Sequence, residues 1–236
     1  FGKNCDIITF EIEHINVDAL ESLEKIGKAV YPKSNTLRII QDKNLQKSFF
    51  KKNNIPTSNF KYFNSLYDFK KSIEKNEIKF PCVWKKTKFG YDGFGVKVLN
   101  SLEDIDKLPN SEMIIEDYIL FEKEVSVIVA RNVKGDIKCY RTVEMEFNNI
   151  SNQVEYVISP ANISDEIDKK AQKIAVKLSE SLDCVGLLAV EMFLTGKEIL
   201  VNEIAPRPHN SGHFSIEACE SSQFQQHIRA IFNLDL

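Results

Sequence analysis

Two apolar stretches late in the chain constrain its fold more than any other feature. Residues 186–194 and 198–204 are separated only by Thr195-Gly196-Lys197. Apolar runs of this length around a glycine-containing turn predict a β-hairpin. Each run is interrupted by a carboxylate. Leu187-Leu188-Ala189-Val190 precede Glu191, and Ile199-Leu200-Val201 precede Asn202 and Glu203. A charge in such a run is costly unless it is paired, metal-bound or solvated. With 195–197 as a three-residue loop, Leu194 faces Glu198 and Glu191 faces Val201. Glu203 is then a diagonal neighbour of Glu191 on the same face, roughly 7–8 Å away at the backbone. Two carboxylates so placed suit one or two Mg²⁺ ions, which take hard oxygen ligands and bind nucleotide phosphates in turn. A simply solvated face is the competing reading. Asn202 points to the other face of an ideal strand, so a role for it requires a bulge.

A second stretch, Phe89-Gly90-Tyr91-Asp92-Gly93-Phe94-Gly95, packs three glycines into six residues. Such a segment can turn backbone N–H groups toward an anion. The strand Cys82-Val83-Trp84-Lys85 precedes it, and Val96 and Val98 alternate in a strand after it. Lys85 and Lys86 stand where a lysine reaches a nucleotide phosphate. The spacing is neither that of the P-loop nor G-x-G-x-x-G, and an ordinary glycine-rich hairpin explains it equally well.

Ala205-Pro206-Arg207-Pro208-His209-Asn210-Ser211-Gly212-His213 reads as a loop. The chain has only five arginines, and Arg207 can grip a carboxylate, carbonate or phosphate through two N–H groups. His209 and His213 are four apart, but the segment is not helical and lacks the H-E-x-x-H glutamate, so zinc is not predicted. A rigid polar loop without chemistry is the alternative. After the apolar Met113-Ile114-Ile115, the linker Glu116-Asp117-Tyr118-Ile119 offers a backbone edge to an adenine, and Glu124 offers a carboxylate to a ribose. Surface acids would explain both glutamates more simply. His14 and His227 read as structural or solvated.

The rest of the chain supplies context. A strand-like opening over 5–13, a helix over 17–26 and a strand at 29–31 follow the grammar of a parallel sheet. Ser34-Asn35-Thr36 can cap a helix running to about Lys52, and Ser65 a helix carrying Leu66, Phe69 and Ile73 on one face. Val125, Val127 and Val129 alternate in a strand, and Lys134-Gly135-Asp136 marks a turn. Ile167, Ala171, Ile174, Ala175, Leu178 and Leu182 form a helical stripe over 165–182, and a last helix spans 215–232. At 236 residues, one large domain or two small ones is expected. A net charge of −3 argues against a general nucleic-acid binder. No apolar run reaches the roughly 18 residues of a membrane helix. Five cysteines without C-x-x-C spacing, and no secretory signal, predict a reduced cytoplasmic protein. The chain opens Phe1-Gly2-Lys3 without Met and reads as an interior piece of something longer.

Together these segments resemble the ATP-grasp superfamily, and within it the 5-(carboxyamino)imidazole ribonucleotide synthase family of purine biosynthesis. The likeness rests on Thr9-Phe10-Glu11-Ile12-Glu13, Gln41-Asp42-Lys43, Lys85 with Gly90-Tyr91-Asp92-Gly93-Phe94-Gly95, Glu124-Val125-Ser126, Ser222-Gln223-Phe224 and, most specifically, the run from Val201-Asn202-Glu203 to His209-Asn210-Ser211-Gly212-His213.

The resemblance implies an α+β ATP-grasp fold in which two subdomains clamp ATP: a lid at 54–116 and a larger part at 117–236. Residues 1–53 would be the tail of an N-terminal Rossmann-like α/β domain and its connecting helix, and the family's C-terminal β domain is absent. The implied reaction uses ATP and bicarbonate to carboxylate the amino group of 5-aminoimidazole ribonucleotide through carboxyphosphate, releasing ADP and phosphate. By position, Lys43 and Lys85 match the phosphate-binding cations, and Gly90, Tyr91, Asp92, Gly93 and Gly95 the loop over the phosphates. Glu116, Asp117, Tyr118 and Ile119 match the adenine linker, and Glu124 the ribose acid. Glu191 and Glu203 match the Mg²⁺ ligands, with Asn202 beside them. Arg207, His209 and Asn210 fall where bicarbonate and the imidazole are expected. The implied partners are small molecules, with neither nucleic acid nor membrane, and the full-length protein would be a homodimer. There are departures. Lys43 stands where the family often has Arg, Phe147 where it has a histidine near the nucleotide, and Phe214 where it has Trp or Tyr. Rival readings are another ATP-grasp ligase, such as a formate-dependent purine transferase, or a non-catalytic nucleotide-binding fragment.

Overall fold

A computed structural model describes residues 1–88, 90, 95–148 and 154–236. The expectations for Tyr91, Asp92 and Gly93 lie outside the described residues.

The chain begins with β1 (Ile7–Ile8), α1 (Val17–Lys25) and β2 (Ala29–Val30), the two short strands pairing in parallel. Asn16 caps α1 by accepting from the Ala19 N–H, and Val17 and Leu20 close a small core with Val30 and Leu37. The single helix expected up to Lys52 is instead two, α2 (Ser34–Ile40) and α3 (Lys43–Lys52). Its expected cap also differs: Lys33 holds the N-cap position of α2, with no side-chain cap bond. The break is at Asp42, whose extended backbone lets its carboxylate accept from the Asn44 and Leu45 N–H groups. A short acidic side chain competes for helix N–H groups and so favours an N-cap over a helix interior. Gln41 reinforces the turn by donating to the Glu13 and Ile15 carbonyls. The break makes Lys43 the first residue of a helix, and its N–H donates to the Thr87 carbonyl at 2.9 Å.

Next come β3 (Phe60–Phe63), α4 (Leu66–Glu74), β4 (Cys82–Lys86), β5 (Val96–Leu99) and β6 (Met113–Asp117). They build an antiparallel sheet in the order β3-β6-β4-β5. Ser65 caps α4, as expected, and Phe69 packs with Phe63, Trp84, Leu99, Met113 and Ile115.

The remainder is β7 (Lys123–Arg131), β8 (Ile137–Cys139), β9 (Val143–Phe147), β10 (Val154–Ile158), α5 (Asp165–Ser181), β11 (Gly186–Thr195), β12 (Glu198–Ala205), α6 (Ser215–Ala218) and α7 (Gln223–Ile231). The second sheet runs β10-β9-β7-β11-β12, with β8 on β7. Side chains alternate between its faces. On one face Val125, Val127, Val129, Leu188 and Val190 pack with Ile167, Ala171, Ile174, Ala175 and Leu178 of α5. The other face carries Ile128, Ala130, Leu187, Ala189 and Ala205, and α7 packs against β11 and β7. Farther along the same strands this second face turns polar, with Glu124, Ser126, Glu191 and Glu203. The expected final helix is interrupted because Ser222 starts α7 anew, forming a reciprocal capping box with Gln225. Among the described residues, no helix is long and apolar enough to cross a membrane.

Candidate active site

The β11–β12 hairpin closes through two residues, Gly196 and Lys197, since Thr195 pairs with Glu198. Gly196 has φ +60°, the left-handed backbone that a tight hairpin turn requires. This corrects the three-residue loop. Carried on without interruption, the two-residue register would put Asn202 opposite Glu191 and send Glu203 to the α5 side. The ladder slips instead. Met192 pairs with Val201, but Glu191 pairs with Glu203. Asn202 is the extra residue of a bulge, and two consecutive residues therefore share one face. Glu191 and Glu203 are direct rather than diagonal partners, while Val201 and Ile204 keep their places in the α5 core. Residues 56–57 hold the strand just before the bulge. The Val201 N–H donates to the Pro56 carbonyl and Thr57 Oγ1 donates to the Val201 carbonyl, each at 2.7 Å.

Cations gather at this face from other elements. Lys43 Nζ lies 2.5 Å from Glu203 Oε2, and its charge, above all, holds the Glu203 carboxyl at about 2. Lys85 Nζ donates to Asn202 Oδ1 at 2.8 Å, which brings the end of β4 onto the bulge. His209 Nε2 sits 3.2 Å from Glu191 Oε1. Its Nδ1 meets Ser211 Oγ at 2.9 Å, and Ser211 Oγ meets Ser126 Oγ at 2.9 Å. Glu124 is on the same face of β7. Burial, then the charges of Glu191 and Glu203, push its carboxyl up to about 8. Three carboxylates thus share one face with Lys43, Lys85 and His209.

The loop after β12 is held by Gln223. Gln223 Oε1 accepts from the His209 N–H at 2.8 Å and Gln223 Nε2 donates to the His209 carbonyl at 2.7 Å. Gly212 makes room for this, since a Cβ there would lie 2.5 Å from Gln223 Oε1. Arg207 Nε donates to Glu13 Oε1 at 2.9 Å, joining the loop to the N-terminal segment. Burial raises the Glu13 carboxyl against the pull of Arg207. Asn210 is exposed, its Oδ1 accepting from the Ser211 N–H.

The other expected residues fall as follows. Gly95 has φ +85°, and its carbonyl accepts from the Lys86 N–H at 2.8 Å, closing the β4–β5 loop at its base. Gly90 is half-buried. Asp117 is exposed and accepts from the Asn59 amide; Tyr118 is exposed and Ile119 half-buried. Glu116 corrects the surface-acid reading. It is 3% exposed and lies between Lys47 and Lys85. Its partner Lys47 had no signal in the sequence, nor had Glu13 as the partner of Arg207; both contacts join segments remote in the chain. His227 is structural, its Nε2 2.7 Å from Thr9 Oγ1 and its Nδ1 accepting from the Leu187 N–H.

This geometry coincides with a known domain type. The ATP-grasp domain profile matches residues 48–224, and the ribonucleotide synthetase preATP-grasp profile matches residues 1–41. The chain belongs to the ATP-grasp family, and the α+β ATP-grasp architecture is the one found. Within that class it is similar to the N5-carboxyaminoimidazole ribonucleotide synthase of Bacillus subtilis, at 40% identity over 98% of this chain and 61% of that protein. It is likewise similar to the N5-carboxyaminoimidazole ribonucleotide synthetase structure from Thermotoga maritima, with TM-score 0.89 and 44% identity over 100% of this chain and 61% of that one. The Aspergillus clavatus enzyme, solved with ADP and 5-aminoimidazole ribonucleotide, gives TM-score 0.91 and 33% identity over 100% of this chain and 62% of that one. The chain spans about three fifths of the length of these relatives.

Proposed function

We propose that this chain is the ATP-grasp portion of an enzyme that uses ATP and bicarbonate to carboxylate the amino group of 5-aminoimidazole ribonucleotide, giving the N5-carboxy product, ADP and phosphate. The carrying observation is the direct pairing of Glu191 with Glu203, with Lys43, Lys85 and His209 on the same acids and their bulge. The likeness to the Aspergillus enzyme with its two ligands supports the substrate assignment. In this reading residues 54–116 form the lid, 117–236 the larger subdomain, and 1–53 the end of the preceding domain.

The donor set fits Mg²⁺. Two facing carboxylates supply hard oxygens, and Glu124, raised first by burial and then by their charges, adds a third acid to the face that a cation would meet. Among the described residues no three ligating side chains cluster. Mg²⁺ usually binds through one or two carboxylates plus substrate phosphates and water rather than an all-protein cage. Glu191 and Glu203 would hold it, and when bound it would neutralise the charge of the phosphates. Lys43 and Lys85 add fixed positive charge for the same phosphates. The main chain of the 116–119 linker takes the adenine and Glu124 the ribose, while the Glu116 side chain itself stays buried between Lys47 and Lys85. Bicarbonate is a poor electrophile, and its phosphorylation to carboxyphosphate gives it a leaving group. Arg207, His209 and Asn210 then orient the carboxylate donor and the amine, so that catalysis is positioning and charge stabilisation. Phe147 cannot give the hydrogen bond of the family's histidine.

The test is a steady-state assay of phosphate release with Mg²⁺, ATP and the aminoimidazole nucleotide, with and without bicarbonate. Bicarbonate-dependent turnover is expected. Turnover with formate in its place would point to the transferase instead, and ATP binding without phosphate release to a non-catalytic module.

A further inference from the structure

Lys47 lies in α3 with its side chain 2% exposed, and the proposed reaction does not use it. A buried ammonium is costly unless its donors are met. Lys47 Nζ donates to Thr57 Oγ1 at 2.7 Å and to Ser58 Oγ at 3.0 Å, and stands 3.1 Å from Glu116 Oε2. Three partners match the three donors of an ammonium, which seals Lys47 away from any ligand.

Glu116 is shared. Ser58 Oγ donates to its Oε2 at 2.7 Å. Its Oε1 lies 3.2 Å from Lys85 Nζ, yet among the described residues this buried oxygen has no well-directed hydrogen bond. Lys85 aims its N–H at Asn202 of the bulge instead. Lys85 is therefore attracted by Glu116 without being consumed by it. The buried group holds two ammonium ions and one carboxylate, a net charge of +1. Remove Lys47 and the sum is zero, with Lys85 the only ammonium still in direct contact with the buried carboxylate among the described residues. Although burial opposes it, Lys85 and Lys47 hold the Glu116 carboxyl at about 2, so its negative charge persists at neutral pH.

We infer that Lys47 is a positioning residue: by offsetting the Glu116 carboxylate it leaves the Lys85 charge free to meet a nucleotide phosphate beside the Asn202–Glu203 bulge. This rests on the ATP reading above. It assigns the buried Lys47–Glu116 pair to ligand affinity and not only to joining α3 to the first sheet.

The test is a double-mutant cycle read by calorimetric ATP binding and by the KM for ATP. Lys47→Met cancels the net charge and is expected to weaken ATP binding about tenfold or more, with kcat less affected. Lys47→Met/Glu116→Gln returns the sum to +1 and is expected to recover affinity to within about threefold of the parent. Two purely structural losses would add instead. Lys47→Met binding ATP like the parent overturns the inference, as does a folded double variant no tighter than Lys47→Met. Should Lys47→Met alone fail to fold, the double variant, neutral at both substituted positions, decides: affinity within threefold of the parent upholds the inference and any greater loss overturns it. If the parent itself bound no ATP, the functional reading would fail first.

Discussion

Glu191 and Glu203 face each other across β11 and β12 because Asn202 is one residue too many for the ladder. The bulge brings both carboxylates and the Asn202 amide to one face, where Lys43, Lys85 and His209 converge. Glu203→Gln and Glu191→Gln should each lower Mg²⁺-dependent ATP hydrolysis roughly 100-fold, the scale of losing one preorganised group at a reacting charge. Glu191→Gln should shift thermal unfolding little, whereas Glu203→Gln should lower its midpoint, because Lys43 loses the carboxylate that pairs with it. Parent-like turnover in Glu203→Gln would sink the metal assignment.

Burial of Glu124 beside these two acids sets a pH dependence. The Glu124 carboxyl stands at about 8 in the folded chain against an ordinary 4.5. The folded state binds this proton more tightly than the unfolded one, so its contribution is full below the ordinary value and lost as pH rises through about 8. Urea midpoints should fall from about pH 5 to about pH 8, with a shallower slope in Glu124→Gln. An unchanged slope would remove Glu124 as the cause.

His227 acts in the opposite direction. Burial lowers it to about 4 from 6.5, so the folded state resists a proton that the unfolded state takes up. Its contribution is complete above pH 6.5 and declines as pH falls toward 4, by on the order of 3 kcal/mol. His227→Asn should flatten acid unfolding below about pH 6. The neighbouring Gly186 has φ +110°, and a Cβ on it would lie 2.9 Å from His227 Cε1. Gly186→Ala should therefore cost about 1–3 kcal/mol, read from chemical denaturation.

Gln223 carries the loop after β12 by two hydrogen bonds to the backbone of His209. Gln223→Ala leaves a buried N–H and a carbonyl unmet, at about 1–3 kcal/mol for each group. Gly212→Ala displaces the same amide from the other side. Both variants should lose kcat/KM by a larger factor than their unfolding free energy suggests, since His209 moves with the loop. Loss of stability with unchanged kcat/KM would make the loop structural only.

Much of this site was written locally. A carboxylate breaking an apolar strand marks a group that needs a partner, and Glu191 and Glu203 were found that way. Alternation and helical stripes placed α4, α5 and the second sheet, because burial of one face follows the period of each element. The loop from Pro206 to His213 is legible from its prolines, glycine and clustered histidines. What was local but misread turned on competing hydrogen bonds: Asp42 and Ser222 cap new helices where the periodic pattern alone suggested continuous ones.

The chain by itself therefore determined which strands carry the acids, which lysines stand near the glycine loop, and which family they resemble. Only the tertiary structure decided how they meet. A one-residue slip reverses the face of every following side chain, and no local rule fixes a slip held from outside by Pro56 and Thr57. The buried Lys47–Glu116–Lys85 group and the Glu13–Arg207 pair likewise join segments that meet only once the chain is folded, so their energies belong to the assembled molecule.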